Sequence, residues 1–378
     1  MAERLSDIVC QDKAIGSLQR AYAAGRMPHA YLFCGEDGVG KFTTARAWAK
    51  MLLCQNRTRR AGEPVFFDSC GQCDSCRLFE SGGHPDFQPI YKELITFTKD
   101  GKNKTAPLDM PVDVIREFLI DKITTRPQRS QHVVYVVQEA EKVNRSSQNA
   151  MLKILEEPPT FCVIILICSR LEKMLPTTLS RCHPVRFGPI DSQTIIRKLA
   201  EIGIREPESV YWANFSEGRL GQALEWASLT PKGDRPYQIK CELLERLAGA
   251  ALPDVLEQAE WMSKASKHIA AAWSAAMENV STKDINRRAQ TGAIQMLTLA
   301  LTDALKLHVG AAEPLVNVDQ TPVIHRLADN YEPELLSLLV RQMYALRRWV
   351  EDNVNEKLIF EQVLLNLTQS DIINLSIS

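Results

Sequence analysis

The sequence predicts an α/β domain with a parallel sheet in the first half of the chain, followed by a small and a larger helical domain. Three short runs of apolar, mostly β-branched residues do not alternate with polar residues, which is typical of strands buried on both faces of a parallel sheet. Helical patterns lie between these runs, and such alternation indicates an α/β domain. After Phe187–Pro189 the strand pattern disappears.

The predicted elements of the first half are short. Strands are predicted at Ala30–Cys34, Val133–Val137 and Val163–Ile167, and helices over Phe42–Leu53 and Ala150–Leu155, the second ending before Pro158. The polar, lysine-rich run 92–111 has no periodicity, so we expect an insertion loop there. A helix is predicted over Asp191–Gly203, capped by Asp191 or Ser192.

Polar breaks divide the chain into three predicted domains. A length of 378 residues is enough for two or three domains that each bury a core. We expect a P-loop-like α/β domain over residues 1–188, a helical lid over 189–233 and an all-helical domain over 234–378. The polar breaks in the second half lie at Thr230–Pro236 and Ala311–Pro322.

Composition excludes several classes of protein. The 45 Lys and Arg residues are balanced by 46 Asp and Glu residues, so no strongly basic field predicts independent binding to nucleic acid. The longest apolar run, Cys162–Cys168, is too short to span a bilayer, and the polar start Met1–Arg4 shows no signal region. The ten cysteines are not spread as in a secreted disulfide scaffold. We therefore expect a cytoplasmic protein with no membrane partner.

A glycine-rich loop lies between the first predicted strand and the first predicted helix. It has the G-x-x-x-x-G-K spacing of a P-loop, in which backbone N–H groups surround a phosphate and the lysine reaches the β- and γ-phosphate oxygens. The candidate phosphate-binding residues are Gly35, Gly38, Gly40 and Lys41. The next position normally carries a hydroxyl for Mg²⁺, but it is Phe42, and Thr43 lies about 100° further around the helix. The alternative is a glycine turn that only connects strand and helix.

The predicted strand Val133–Val137 ends where P-loop ATPases carry an acidic pair. In those enzymes an Asp supports Mg²⁺ and a Glu polarises the attacking water. This chain has Gln138 and Glu139 there, so the charge that would support Mg²⁺ is missing. Glu139 is either the remaining catalytic carboxylate or a solvated charge at the strand end. The sequence favours a loop that can hold phosphate and argues against Mg²⁺-dependent catalysis, and it leaves open whether ATP and Mg²⁺ bind.

Four cysteines form a C-x15-C-x2-C-x2-C pattern. They are Cys54, Cys70, Cys73 and Cys76. Four thiolates satisfy a tetrahedral Zn²⁺ and leave no open position, so we expect a structural zinc in an insertion over residues 54–76. The intervening loop is polar and has few apolar side chains that could hold it otherwise. A redox Cys-x-x-Cys is the alternative.

An arginine follows the last predicted strand of the α/β domain. Arg181, within Ser180–Cys182, lies where it could point at the nucleotide of a neighbouring subunit and stabilise charge on the γ-phosphate, as an arginine finger does. An arginine at such a position is more often part of a surface or interface ion pair.

These features together resemble the bacterial clamp-loader AAA+ proteins of DNA polymerase III. The similar stretches are Ser6–Asp12, Pro28–Phe33, the four cysteines, Asn149–Pro159 and Ser180–Cys182. The similarity covers residues 1–230 strongly and then only Asn353–Leu358, which is similar to the last helices of the family's collar domain. The resemblance implies an AAA+ domain, a helical lid and an all-helical collar that mediates oligomerisation.

The resemblance also implies roles for residues around the P-loop. Ser169 is similar to the family's sensor-one hydroxyl, and the alternative is a Ser without a role at a strand end. The family's ATP-hydrolysing subunits carry an Arg at the position of Gly221 in the sensor-two helix. We expect Arg219 to lie on the wrong side of that helix to replace it.

Function and partners also follow from the resemblance. The departures at Phe42, Gln138 and Gly221 imply a stator-like clamp-loader subunit of the DNA-directed DNA polymerase holoenzyme that does not itself hydrolyse ATP. It would assist ATP-driven loading of the sliding clamp on primed DNA, with Arg181 acting in trans on a neighbouring ATPase subunit. The implied partners are tau/gamma and delta subunits in a pentameric hetero-oligomeric ring, the sliding clamp and primer–template DNA. The alternatives are an ATP-hydrolysing tau/gamma-type motor or another AAA+ ATPase of DNA replication or repair.

DNA would lie near one helix of the α/β domain. In the family, the helix that corresponds to Ser147–Leu155 faces the duplex inside the ring. Arg145, Ser146 and Ser147 at its N-terminus are therefore expected near phosphates.

Overall fold

The computed structural model divides the chain into two compact units. It describes residues 4–62, 65–99, 107, 109–230, 234–249, 252–276, 280–352 and 354–368. One unit comprises Met1–Thr194 and Gly218–Gln222, and the other comprises Ile195–Glu217 and Ala223–Ser378. The finer division into a lid and a collar stays a prediction. In the part of the chain that is described, no helix is long and apolar enough to cross a membrane.

A five-stranded parallel sheet forms the centre of the first unit. Its strands are β1 (Ala30–Cys34), β4 (Phe87–Ile90), β5 (Val133–Val137), β6 (Cys162–Cys168) and β7 (His183–Arg186), in the order β4-β5-β6-β1-β7. The predicted parallel α/β class and the three predicted strands are confirmed. The sequence did not predict β4 and β7, because these edge strands are short and each contains a proline.

The sheet is buried on both faces, as the unalternated strands predict. Ala30 and Leu32 of β1 belong to the apolar cluster on one face, whereas Tyr31 and Phe33 belong to the cluster on the other. The fully buried Trp48 packs in the second cluster. The strand ends next to the glycine-rich loop are therefore fixed from both sides.

The helices of the first unit connect these strands. They are α1 (Asp12–Ala23), α2 (Lys41–Leu53), α3 (Asp74–Glu80), α4 (Val112–Ile115), the π-helical turn Arg116–Ile120, α5 (Arg145–Glu156) and α6 (Pro176–Leu179). Short 3-10 helices lie at Leu5–Asp7, Lys92–Phe97, Ala140–Lys142 and Leu171–Lys173. The sequence pattern also missed a two-stranded hairpin, β2 (Thr58–Arg60) and β3 (Phe66–Asp68).

The predicted insertion loop over residues 92–111 is partly wrong. Its first residues form the 3-10 helix Lys92–Phe97, which buries Lys92 and Ile95. The lysine-rich composition concealed this helix because Lys92 is buried against a carboxylate rather than solvated. Residues 100–106 and 108 lie outside the described residues.

The rest of the chain is helical where it is described, as predicted. The helices are α7 (Ser192–Glu201), α8 (Glu208–Phe215), α9 (Leu220–Ser228), α10 (Pro236–Ala248), α11 (Val255–Ala276), α12 (Thr282–Val309), α13 (Thr321–Asn330), α14 (Pro333–Glu351) and α15 (Glu356–Thr368), with 3-10 turns at Leu252–Asp254 and Val318–Gln320. The predicted cap of α7 is confirmed, since the Thr194 N–H donates to Asp191 Oδ1 at 2.8 Å.

Aromatic side chains fill part of the core of the second unit. The Trp226 ring lies 5.8 Å from the Trp212 ring and 4.8 Å from the Trp273 ring, measured between centroids. Gly292 of α12 makes room for them, because a Cβ there would lie 2.1 Å from Trp226 Cζ2. Helical packing of this unit therefore depends on a glycine that the sequence pattern did not single out.

Candidate nucleotide-binding loop and metal site

The glycine-rich loop joins β1 to α2. Gly35, Gly38 and Gly40 have φ angles of 151°, 84° and 95°, in the region that side chains disfavour. A Cβ on Gly35 would also lie 2.6 Å from the backbone oxygen of Phe187. Because α2 begins at Lys41 directly after the loop, the chain turns from strand to helix as a P-loop does.

Lys41 is bound within its own loop. Its side chain is 3% exposed, and Nζ donates to the backbone oxygens of Gly35 at 2.5 Å and Glu36 at 2.7 Å. A third hydrogen bond joins Nζ to Ser169 Oγ at 3.2 Å, and Asp37 Oδ1 lies 3.4 Å away. The three N–H groups of the ammonium therefore have partners inside the chain. A phosphate would have to displace them to bind this lysine.

Ser169 and Asp37 complete this arrangement. Ser169 follows β6, which pairs with β1, so parallel pairing brings its hydroxyl to the loop, where it donates to Asp37 Oδ1. The Asp37 carboxylate puts a negative charge beside the lysine, which opposes the approach of a phosphate. No sequence signal pointed to Asp37, because this position of the motif accepts any residue.

The residues after Lys41 offer little to a metal ion. Phe42 packs against the apolar cluster on one face of the sheet, and it has no oxygen that could bind Mg²⁺. Thr43 is half-buried at the next helical position. Neither of these two residues therefore replaces the hydroxyl that the motif position lacks.

Glu139 is neutralised where it lies. Its φ of 48° is left-handed, and its carboxylate pairs with Lys92 Nζ at 3.5 Å and with Lys142 Nζ at 2.6 Å. Gln138 beside it is half-buried, and its backbone N–H donates to Ile90 at the end of β4. The carboxylate of Glu139 is thus engaged in two ion pairs within the chain, which leaves it poorly placed to accept a proton from water.

Glu141 is an acidic neighbour of the loop that the sequence did not single out. Burial raises the pKa of Glu141, and the negative charge of Asp37 raises it further. Its Oε2 is buried, without a hydrogen-bond partner among the described residues. The pattern offered only one weak signal, a second charge two residues after Glu139.

The stretch 218–222 lies directly on the glycine-rich loop. The Gly221 N–H donates to the Gly38 backbone oxygen at 2.8 Å, and a Cβ on Gly221 would lie 3.0 Å from Gly38 Cα. The expectation for Arg219 was wrong in its premise, because α9 begins one residue later, at Leu220. Arg219 Cβ instead lies 3.2 Å from the position of a Cβ on Gly38. Glycine at 221 thus allows a close backbone contact that any side chain at this position would crowd.

The four predicted cysteines lie together at the end of α2 and the start of α3. Their sulfur atoms all lie within 4.8 Å of one another. The Sγ–Sγ distances are 3.6 Å for Cys54–Cys70, 3.8 Å for Cys54–Cys73 and 4.0 Å for Cys70–Cys76. Sulfurs around a tetrahedral zinc, each at about 2.3 Å, would be about 3.8 Å apart. All four thiols are free, so the arrangement fits a metal ion better than a disulfide.

Backbone N–H groups donate to sulfur atoms of this cluster. The Cys70 N–H donates to Cys54 Sγ and the Cys73 N–H donates to Cys70 Sγ, both at 3.3 Å. Burial raises the pKa of Cys73, but hydrogen bonds from the N–H groups of Cys76 and Gln55 and from the Cys76 and Cys70 side chains together outweigh it and lower the pKa to about 6. Burial raises the pKa of Cys54 and Cys76. The thiols of Cys54 and Cys76 would therefore release their protons when a metal ion binds, and stay protonated without one.

The first described residues of the chain are attached to the cysteine loop, the segment that carries Cys54, Cys70, Cys73 and Cys76. The buried Asp68 carboxylate accepts the N–H groups of Leu5 at 3.1 Å and Ser6 at 3.2 Å. Arg4 Nη2 donates to the Cys70 backbone oxygen at 2.9 Å. Three hydrogen bonds therefore tie the loop to the first described residues of the chain.

Arg181 lies at the surface after α6 and is paired within the chain. Its side chain is 30% exposed, and Nε donates to Glu156 Oε1 at 2.7 Å. Nη2 contacts the same carboxylate, and Nη1 donates to the Thr177 backbone oxygen at 2.7 Å. The ion pair that the sequence left as an alternative is present, so a role in trans would require the guanidinium to leave Glu156.

The predicted DNA-facing residues differ in exposure. Arg145 and Ser146 are exposed at the N-terminus of α5. Ser147 is fully buried, its N–H donates to Asn144 Oδ1 at 2.8 Å, and its hydroxyl is enclosed. The expectation was therefore wrong for the Ser147 side chain, because the cap at Asn144 turns it into the core.

Two family models match this chain. The model described as DNA polymerase III, delta subunit, matches residues 10–191, and a model of the C-terminal part of that subunit matches residues 276–369. The delta-prime subunit of Escherichia coli K12 is 27% identical, over 93% of this chain and 92% of its own length. The chain belongs to the family of DNA polymerase III delta-prime and tau/gamma subunits.

Coverage differs between the two branches of this family. The tau subunit of Escherichia coli K12 is 32% identical over 59% of this chain, and the chain spans about a third of that protein's length, 32%. Among solved structures, a gamma-subunit-related DNA polymerase III protein of Thermotoga maritima is 17% identical, with a TM-score of 0.43, covering 94% of this chain and 99% of its own.

A glutamine near the start of the chain also supports the loop of this family member. Gln11 Nε2 donates to the backbone oxygens of Val39 at 3.1 Å and Gly188 at 2.8 Å, and its Oε1 accepts the Gly188 N–H. Gln11 lies in the family-like stretch Ser6–Asp12, which was the available signal for it.

Proposed function

We propose that the chain is a clamp-loader subunit of DNA polymerase III that does not hydrolyse ATP. The chain is similar to a delta-prime subunit along nearly the whole length of both proteins, but it spans only about a third of the tau subunit. This difference favours the delta-prime assignment. As a stator-like member of a hetero-oligomeric ring with tau/gamma and delta subunits, it would assist ATP-driven loading of the sliding clamp on primed DNA.

The observation that supports this most directly is the condition of the glycine-rich loop. Lys41, which reaches phosphate oxygens in a working P-loop, donates its hydrogen bonds to loop carbonyls and Ser169. Phe42 and Gln138 supply neither of the Mg²⁺ ligands, and Gly221 closes on Gly38. A loop satisfied in this way keeps the P-loop shape and does no phosphoryl transfer.

Arg181 is the residue that we propose acts on a neighbour. An arginine finger needs a permanently charged planar fork at the subunit surface, and Arg181 is such a group. Its partner Glu156 would be exchanged for the γ-phosphate of an adjacent tau/gamma subunit. Arg145 and Ser146, exposed at the start of α5, are proposed to contact DNA phosphates.

We also propose that the four cysteines hold a structural Zn²⁺. The sulfur–sulfur distances and the absence of a fifth ligand among the described residues support a closed tetrahedral site. Bound zinc would supply no chemistry beyond holding the loop between α2 and α3 in place. Cys54, Cys70, Cys73 and Cys76 would be its ligands.

An ATP-hydrolysing tau/gamma-type motor is the second candidate, favoured by the intact spacing from Gly35 to Lys41 and by the 32% identity to tau. Steady-state ATP turnover by the purified chain separates the two. We expect no turnover above background, and a stable complex after mixing with tau/gamma and delta subunits, detected by size-exclusion chromatography with light scattering. Turnover that disappears in Lys41→Ala would establish the motor instead.

A further inference from the structure

Buried hydrogen bonds connect two elements behind the cysteine cluster. Ser75, in the first turn of α3, is 2% exposed, and His84 is 4% exposed. Ser75 Oγ donates to the Leu53 backbone oxygen at 2.7 Å and lies 2.9 Å from His84 Nε2. Leu53 is the last residue of α2. A side chain of α3 thus bridges to the end of α2.

The direction of these hydrogen bonds follows from the groups involved. A serine hydroxyl has one hydrogen, which the Leu53 oxygen accepts, so Ser75 Oγ accepts a hydrogen bond from His84 Nε2. His84 Nδ1 accepts the Asp86 N–H at 3.1 Å. The ring is therefore neutral, with its hydrogen on Nε2. The Asp86 N–H, both ring nitrogens of His84, the Ser75 hydroxyl and the Leu53 oxygen therefore each have a hydrogen-bond partner.

We propose that Ser75 and His84 are positioning residues for the metal bound by the cysteines. Cys54 directly follows Leu53, and Cys73 and Cys76 flank the Ser75 turn, so the bridge fixes three of the four ligands relative to one another. The inference rests on the metal site proposed above. Residues that do not bind the metal themselves commonly fix the orientation of those that do. Losing such a residue lowers the metal affinity by about 10–100-fold.

The chain offers a matched control on the same carbonyl. Ser130 Oγ also donates to the Leu53 oxygen, at 3.1 Å, but Ser130 lies just before β5 on a segment that carries no cysteine. Ser75→Ala and Ser130→Ala therefore remove the same kind of hydrogen bond from one acceptor. Only Ser75→Ala disconnects the two cysteine-bearing elements.

The test is a metal titration of the full-length chain after removal of bound metal. Co²⁺ reports tetrahedral thiolate coordination through its visible absorption, and competition with Zn²⁺ gives the zinc affinity. We expect Ser75→Ala and His84→Leu to weaken zinc binding by about 10–100-fold, and Ser130→Ala to change it by less than about threefold. His84→Gln, whose amide N–H can donate to Ser75, should recover part of the loss.

The possible results separate this inference from the metal site itself. Equal zinc affinities of Ser75→Ala, Ser130→Ala and the unaltered chain would overturn the positioning role while leaving the metal site in place. Failure of the unaltered chain to bind either metal would overturn both. If Ser75→Ala does not fold, His84→Gln and His84→Leu decide, since equal losses in these two variants would exclude a role for the donated hydrogen bond.

Discussion

The glycine-rich loop and the cysteine loop, both in the first unit, differ in where their polar groups find partners. In the glycine-rich loop, Lys41 bonds to carbonyls of its own loop, and Glu139 lies between two lysines. In the cysteine loop, four sulfurs converge on one point and lie within 4.8 Å of one another. Neither property is visible in the spacing of the motifs, which is well preserved in both.

This difference indicates which motif still needs a ligand. A buried cation with three internal partners gains little from a phosphate, because the bonds that it forms replace bonds that it loses. Converging thiols gain much from a metal, since one tetrahedral ion can bind all four sulfur atoms at once. Motif spacing therefore predicts the shape of a site. Whether its polar groups already have partners within the chain predicts whether the site binds a ligand.

The largest effect is expected from Cys73→Ser, which tests the cysteine side of the comparison. Structural zinc contributes about 10–16 kcal/mol in isolated zinc fingers, so losing one ligand should remove the metal and loosen residues 55–85. The α/β core should limit the damage to that loop. Elemental analysis should show about one zinc per unaltered chain and little in the variant, and hydrogen exchange should rise within the loop.

The control for this prediction is Cys10→Ser. Cys10 is exposed and lies outside the cluster, so zinc content and exchange should stay as in the unaltered chain. A Cys73→Ser chain that keeps its full zinc content would show that Cys73 is not a ligand. The converging sulfurs would then not indicate a metal.

The central architecture could be predicted from the sequence because burial leaves a strong pattern. The runs Ala30–Cys34 and Val133–Val137 are strands with the predicted bounds, since strands covered on both faces must be apolar throughout. Edge strands β4 and β7 need no such run, so they were missed. The four cysteines were found because zinc takes thiolate ligands, and short spacings such as C-x2-C leave a recognisable pattern in the sequence.

The interactions that decide how the nucleotide loop behaves could not be predicted. Lys92 comes from a predicted loop about 50 residues before its partner Glu139 in the chain, and only folding brings the two together. Asp37 occupies a position that any residue can take, and Gly221 matters through a backbone contact. Such partners depend on tertiary structure, which local sequence patterns do not record.

The second largest effect is expected from Arg181→Ala, and it would contradict the conclusion drawn from the two loops. Arg181 is already paired with Glu156 within the chain. If residues that have partners within the chain take no part in function, Arg181 should be inactive. If Arg181 is an arginine finger, Arg181→Ala should leave assembly intact and lower ATP turnover of the reconstituted clamp loader severalfold. Fingers contribute about 10³–10⁵ at the site that they serve, but other subunits would keep theirs.

Glu156→Gln is the matched variant for Arg181. It weakens the same ion pair but leaves the guanidinium in place. A finger predicts loss of turnover in Arg181→Ala and none in Glu156→Gln, measured on complexes of equal composition. If both variants behave alike, or if Arg181→Ala turns over ATP at the unaltered rate, Arg181 serves only in a surface ion pair.

A smaller effect is expected from Lys41→Ala in the isolated chain. A P-loop lysine that waits for phosphate adds little to the stability of the free protein, whereas Lys41 here has three internal hydrogen bonds. Hydrogen bonds of charged groups contribute about 1.5–3 kcal/mol, so the free energy of unfolding should fall by about 2 kcal/mol in urea titrations. Lys13→Ala on the exposed surface of α1 should change it by less than about 0.5 kcal/mol. Equal stabilities of the two variants would contradict the internal role of Lys41.

The smallest effect is expected from restoring the missing Mg²⁺ ligands. Phe42→Thr combined with Gln138→Asp supplies a hydroxyl and a carboxylate at the motif positions, so Mg²⁺-dependent ATP binding should strengthen measurably in calorimetric titrations. Binding should remain weak, because Lys41 must still leave its carbonyls and Asp37 still opposes the phosphates. Hydrolysis should stay at background, since Glu139 remains paired with Lys92 and Lys142. Tight binding with turnover in this variant would show that the internal bonds of Lys41 are easily exchanged, and that the missing ligands alone keep the loop inactive.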